Sequence, residues 1–147
     1  MKLVAAQATL VRLRFARPVR TARGDFAGRE TVLLELRDAE GERGFGEAAP
    51  WPGFGTESAQ QAHASLIAAE TLLCGAAMEP GTWTPELDAH LRDAPAARAA
   101  VQGALWDLAA RRAGLPLADL LAAGAGTMCG EVLRHVPTSA LLVAREP

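Results

Sequence analysis

The sequence predicts an α+β domain, a three-stranded antiparallel meander followed by a helical bundle. Two patterns carry that prediction. Apolar and polar residues alternate at period two in the first third of the chain. From residue 56 onward, apolar residues recur at helical spacing between capping residues and glycine or proline stops. A length of 147 residues suits one domain with its own core. Half of the residues are hydrophobic and the formal net charge is −2, which argues against nucleic acid or an anionic membrane as the main partner.

The first strand is read over residues 8–15, where Thr9, Val11, Leu13 and Phe15 alternate with Ala8, Leu10, Arg12 and Arg14, as in a sheet with one wet face. Residues 31–37 repeat the pattern, with Val32, Leu34 and Leu36 on one face and Leu33, Glu35 and Arg37 on the other. Asp38-Ala39-Glu40-Gly41 reads as a turn, with Asp at its start and Gly where positive φ is often required. A third strand over 43–48 returns antiparallel beside the second. Such a meander needs a cover on one face.

The helices supply it. Thr56 reads as the cap of a helix running to about Cys74, with Ala59, Ala62, Leu66, Ile67 and Leu73 along one side. Thr84 followed by Pro85 starts a short helix ending near Asp93. Pro95 starts the strongest helix, 96–113, with a core stripe of Ala97, Val101, Ala104, Leu105 and Leu108; Gly114 and Pro116 stop it. Residues 117–123 form a last short helix closed by Gly124.

Two loops have unusual content. Residues 21–28 combine glycine with Phe26 and several charges. Residues 49–55 set Trp51 and Phe54 among two prolines and two glycines, so these aromatics either face a ligand or pack back on their own domain. His63, His90 and His135 lie at no metal-ligand spacing. Cys74 and Cys129 stand far apart and read as buried or idle thiols of a reducing cytoplasm. Glu47, at a strand end, reads either as an ion pair with a neighbouring arginine or as a group near a ligand. In residues 1–15, Gln7, Thr9 and Arg12 interrupt any secretion-signal or membrane-spanning pattern, so the expected location is cytoplasmic. No nucleophile elbow, phosphate-binding loop or dinucleotide fingerprint occurs. The residues alone thus describe a domain with a loop-built surface and no catalytic set.

Several spaced motifs also carry a resemblance. Arg17-Pro18-Val19-Arg20-Thr21-Ala22-Arg23-Gly24, Arg29-Glu30-Thr31-Val32 and Gly44-Phe45-Gly46-Glu47-Ala48-Ala49-Pro50 occur in that order. Ala104-Leu105-Trp106-Asp107-Leu108 and Gly114-Leu115-Pro116-Leu117 follow. Together they resemble the amino-terminal capping domain of the enolase superfamily. Within it they look most like the muconate-lactonizing subgroup and its o-succinylbenzoate synthases, to which Pro50-Trp51-Pro52-Gly53-Phe54-Gly55-Thr56-Glu57 is similar. A cap of an N-acylamino acid racemase or dipeptide epimerase is the alternative, and a non-catalytic binding or assembly module a third reading.

The resemblance implies a capping domain over 1–130, with strands at about 8–48 and helices at about 57–123. It implies that 131–147 are a linker and the first strand of a (β/α) barrel, near 136–142, with the rest of the barrel absent. The family reaction is a Mg²⁺-dependent lyase step in menaquinone biosynthesis, with barrel lysines as bases. The only lysine here is Lys2, and neither the barrel lysines nor the acidic metal ligands that the resemblance implies map onto this chain, which is expected to be inactive alone and to need no cofactor by itself. What carries over is a lid over a small dicarboxylate substrate, with Thr21, Arg23, Gly24, Phe26, Trp51, Gly53 and Phe54 as its substrate-facing residues. Without its barrel, the chain is expected to self-associate.

Overall fold

The computed structural model describes residues 1–21 and 24–124. β1 (Leu3–Thr21), β2 (Gly24–Asp38) and β3 (Arg43–Ala48) form one antiparallel sheet in the order β1-β2-β3. Val32, Leu34 and Leu36 of β2 lie fully buried on the face the sequence assigns to them. The β2–β3 turn is set by Asp38. Its Oδ1 accepts the amides of Glu40 and Glu42 at 3.1 and 2.9 Å, its carbonyl accepts Gly41 N at 3.1 Å, and Gly41 has φ +89°.

β1 departs from the expectation in length, and the structure chooses its inward face. The expected 8–15 is only the middle of a 19-residue strand. Its inward side chains are Ala6, Ala8 and Leu10, opposite Leu36, Leu34 and Val32, while Thr9 and Leu13 are exposed. Pairing register decides the face, and it is imposed by β2 rather than by the hydrophobicity of β1 itself. An irregularity between Leu3 and Ala5 shifts the parity, so that Leu3 is also buried. The expected loop over 21–28 is corrected too, because Thr21 ends β1 and Gly24 begins β2. The two strands run past the sheet body as a hairpin, with Val19, Arg20 and Thr21 paired to Phe26, Asp25 and Gly24. Its glycines and charges read locally as a loop, whereas cross-strand pairing is a non-local fact.

The helical layer is α1 (Ala59–Leu73), α2 (Pro85–His90), α3 (Pro95–Ala113) and α4 (Leu117–Gly124). Ser58, not Thr56, caps α1. Its hydroxyl accepts Gln61 N at 3.2 Å and Gln61 Oε1 accepts Ser58 N at 2.8 Å, a reciprocal capping box. Thr56 is engaged in the preceding loop. Ile67 is exposed, and Ala69 completes the buried side of α1 in its place. Thr84 caps α2 through Leu87 N, as expected. The stripe Ala97, Val101, Ala104, Leu105 and Leu108 is buried, and Gly114 closes α3 at φ +64°.

α3 lies directly on β3, and glycine makes this possible. A Cβ on Gly46 would stand 2.0 Å from Ala100 O, and one on Gly44 would stand 2.3 Å from Ala104 O. The helix also covers the sheet edge, where Asp107 Oδ2 accepts Phe45 N at 2.9 Å. At the other end of α3, Arg112 pairs with the buried carboxylate of Asp38 and with Glu40. Burial pushes the Asp38 carboxyl up. The Arg112 hydrogen bond, the amides of Glu42 and Glu40 and the Arg112 charge outweigh that and hold it below the usual carboxylate range.

The apolar run 136–143, Cys129, His135 and Arg23 lie outside the described residues, as does the expected linker and barrel strand over 131–147.

Candidate functional site

A cleft of about 430 Å³ opens where the β1–β2 hairpin, the loop after β3 and the first turn of α1 meet. Phe26, Gly28, Arg29 and Glu30 form the hairpin wall, Pro50, Trp51, Pro52 and Gly53 the loop wall, and Ser58, Ala59 and Gln60 the floor. The loop is stiff for local reasons. Pro52–Phe54 make one 3-10 turn, with Phe54 N donating to Trp51 O at 2.8 Å and Gly55 N to Pro52 O at 3.0 Å. Gly55 reverses the chain at φ +90°, and Thr56 Oγ1 accepts Trp51 N at 2.6 Å.

Three aromatics form a chain that begins in the cleft. Phe26 and Trp51 stand 5.0 Å apart between ring centroids at 56°, and Trp51 and Phe54 stand 6.0 Å apart at 67°. Trp51 lines the cleft and packs on its own Phe26. Phe54 is 68% exposed and lies against Trp51 without lining the cleft. Gly53 lines it. Thr21 and Gly24 do not, and the Thr21 hydroxyl donates to Gly24 O at 3.1 Å at the end of the hairpin.

The charges around the cleft are matched within the chain. Glu30 accepts Arg12 Nε and Gln60 Nε2, both at 2.6 Å. The Gln60 and then the Arg12 hydrogen bond hold its carboxyl below its usual range despite some burial. Arg29 lies 3.8 Å from Glu47, whose carboxylate also accepts the Thr31 hydroxyl at 2.6 Å. The ion-pair reading of Glu47 is the one the geometry bears out. His63 Nε2 lies 3.3 Å from Ala8 O and His90 Nε2 lies 3.0 Å from Ser65 O, so both rings serve backbone carbonyls. Sequence reasoning missed Arg29, Glu30, Ser58 and Gln60 as cleft residues. Only the Ser58-x-x-Gln61 capping pattern could have marked this region.

Among the described residues, no three His, Cys, Asp or Glu side chains converge to hold a metal ion, so the Mg²⁺ of the resemblance finds no ligand set there. Among the same residues, no helix is long and apolar enough to cross a membrane.

An antiparallel meander followed by helices, with an aromatic-walled cleft at one end, is the architecture of an enolase-type amino-terminal domain. Residues 5–122 match the N-terminal domain of the mandelate racemase/muconate lactonizing enzyme family. The chain belongs to that family, the amino-terminal domain of enolase-superfamily enzymes. It is similar to a hydrophobic dipeptide epimerase of Roseobacter litoralis, 38% identical over 71% of this chain and 29% of that protein. It is also similar to an o-succinylbenzoate synthase of Geobacillus kaustophilus, 33% identical over 71% of this chain and 28% of that protein. Among solved structures, a dipeptide epimerase from Methylococcus capsulatus complexed with Mg and the dipeptide L-Arg-D-Lys superposes with TM-score 0.72 and 33% identity, over 82% of this chain and 35% of that one. The chain thus spans about 30% of the length of these curated relatives.

Proposed function

We propose that this chain is the cap of a Mg²⁺-dependent enzyme that removes a proton from the carbon next to a carboxylate, and that it works against a (β/α) barrel supplying base and metal ligands. One observation supports this above others: the cleft offers an aromatic wall while its charged groups are already paired, which suits covering the apolar part of a substrate. The cap's share of the work is exclusion of water and orientation of the substrate. The exposed apolar side chains Leu33, Phe45, Leu115, Leu117 and Leu121 support self-association of the chain on its own.

Two reactions fit. o-Succinylbenzoate synthesis, with its dicarboxylate substrate, is supported by the Pro50–Glu57 motif and the Geobacillus relative. Dipeptide epimerisation is supported by the higher identity to the Roseobacter relative and by the paired charges of the cleft, which leave an apolar seat for a side chain. The experiment supplies the chain with separately expressed barrels of a synthase and of an epimerase, adds Mg²⁺, and measures dehydration of the cyclohexadiene dicarboxylate and deuterium uptake at the dipeptide α-carbon. Activity with a barrel and none with the chain alone is expected. Turnover by the chain alone, or a stable complex with no turnover of either substrate, refutes the proposal.

A further inference from the structure

The two walls of the cleft reach α1 by different routes. The loop wall is continuous in sequence with Ser58, and Thr56 ties Trp51 to it. The hairpin wall reaches α1 through Glu30, one oxygen of which accepts Arg12 of β1 while the other accepts Gln60 in the first turn of α1. Phe26, Gly28 and Glu30 alternate along β2 and all line the cleft, so the Glu30 carboxylate shares a strand face with the Phe26 ring. Between them the sheet is weak. The register breaks between Arg14↔Gly28 and Val19↔Phe26, and Pro18, within the break, has no amide to donate. Gly28 cannot stiffen the wall with a side chain, since a Cβ there would meet Leu13 O at 2.3 Å.

We propose that Glu30 is a positioning residue: by joining β1, β2 and α1 just before the break, it sets the Phe26–Trp51 spacing and so the breadth of apolar group the cleft admits. This rests on reading the cleft as the substrate-facing wall, but the spacing can be measured without any substrate. The three tryptophans, Trp51, Trp83 and Trp106, give separate indole resonances in ¹⁵N-labelled chain, assigned by single Trp→Phe variants.

Glu30→Ala and Gln60→Ala are each expected to move the Trp51 resonance and leave Trp83 and Trp106 in place. The double variant is expected to move it no further than the larger single one, because both break one link. Glu30→Gln, whose Oε1 still accepts Arg12 and whose NH2 donates to Gln60 Oε1 once the Gln60 amide turns over, is expected to restore most of the parent shift. Additive shifts, or an unmoved Trp51 in both alanine variants, overturn the proposal. With a complementing barrel, Glu30→Ala is expected to raise KM about fivefold for a bulky apolar substrate with kcat within about twofold; equal losses in both would overturn it. If no barrel restores turnover, the proposed function fails while the Trp51 resonance still decides the role of Glu30.

Discussion

Replacing Gly46 by alanine adds one methyl group at the most crowded of the described glycines. The added Cβ would stand 2.0 Å from Ala100 O, 2.8 Å from Ala104 N and 2.9 Å from Ala100 C, where ordinary contact begins near 3.4 Å. All three atoms are helix backbone, so no rotamer change relieves the clash. α3 must retreat by about 1.4 Å from β3, the difference between 3.4 and 2.0 Å, or the strand must buckle. Overpacking of a core costs about 1–3 kcal/mol, and a shortfall of this size against rigid backbone puts the expected loss at about 3 kcal/mol. Gly103, facing it on α3, makes the control. A Cβ there meets only Gly46 Cα, at 3.7 Å, so Gly103→Ala is expected to stabilise by about 0.5–1 kcal/mol through helix propensity. Urea titrations of the parent and both variants, followed by far-UV circular dichroism and compared at equal m, read both values. Facing positions with opposite signs would confirm the packing. Gly46→Ala that leaves stability unchanged, or raises it as an unstrained Gly→Ala change does, would refute it.

Three further outcomes follow from the site and the caps. Ser58→Ala should cost about 1 kcal/mol in urea titrations by opening the capping box, whereas Thr56→Ala should leave the helical signal of α1 intact. Asp38 should make stability acid-sensitive. Its folded-state pKa is depressed, so its contribution is present above its ordinary value of about 4 and is lost as pH falls through the lower folded-state value. Asp38→Asn should flatten that part of a pH–stability curve. In a barrel-complemented enzyme, Trp51→Ala or Phe54→Ala should lower kcat/KM by about 1–3 kcal/mol in transition-state terms, with Phe54→Ala changing folding stability by less than about 0.5 kcal/mol because that ring is exposed.

Local signals read well where the chain settles matters with its near neighbours. The Asp38–Gly41 turn, β3, the Thr84 cap, the α3 stripe and the Gly114 stop are decided within a few residues, and each stands where the pattern placed it. The inward face of β1 was not legible, because both of its alternating sets contain apolar residues and only the pairing of Leu10 with Val32 chooses between them. The cap of α1 was misplaced by two residues since Thr56 and Ser58 both have suitable hydroxyls, and Trp51 N claims the first. At the candidate site, the aromatics of the second loop announced themselves by composition. Glu30 and Gln60 did not, since a charged strand residue and a polar helix residue are ordinary until the fold sets them 2.6 Å apart.

The start of α3 carries a consequence for how the molecule breathes. Ala94 gives that helix no side-chain cap, and the amides of Ala96 and Ala97 donate instead to the carboxylate of Glu57, at 3.2 and 2.8 Å, from 39 and 40 residues earlier in the chain. Glu57 directly follows the segment that carries Trp51. These two amides are therefore expected to exchange with solvent faster whenever the Glu57 contact opens, while the interior amides of α3 stay bonded within the helix. The start of α3 is thus expected to report on the Glu57 contact beside the cleft, readable without substrate or barrel.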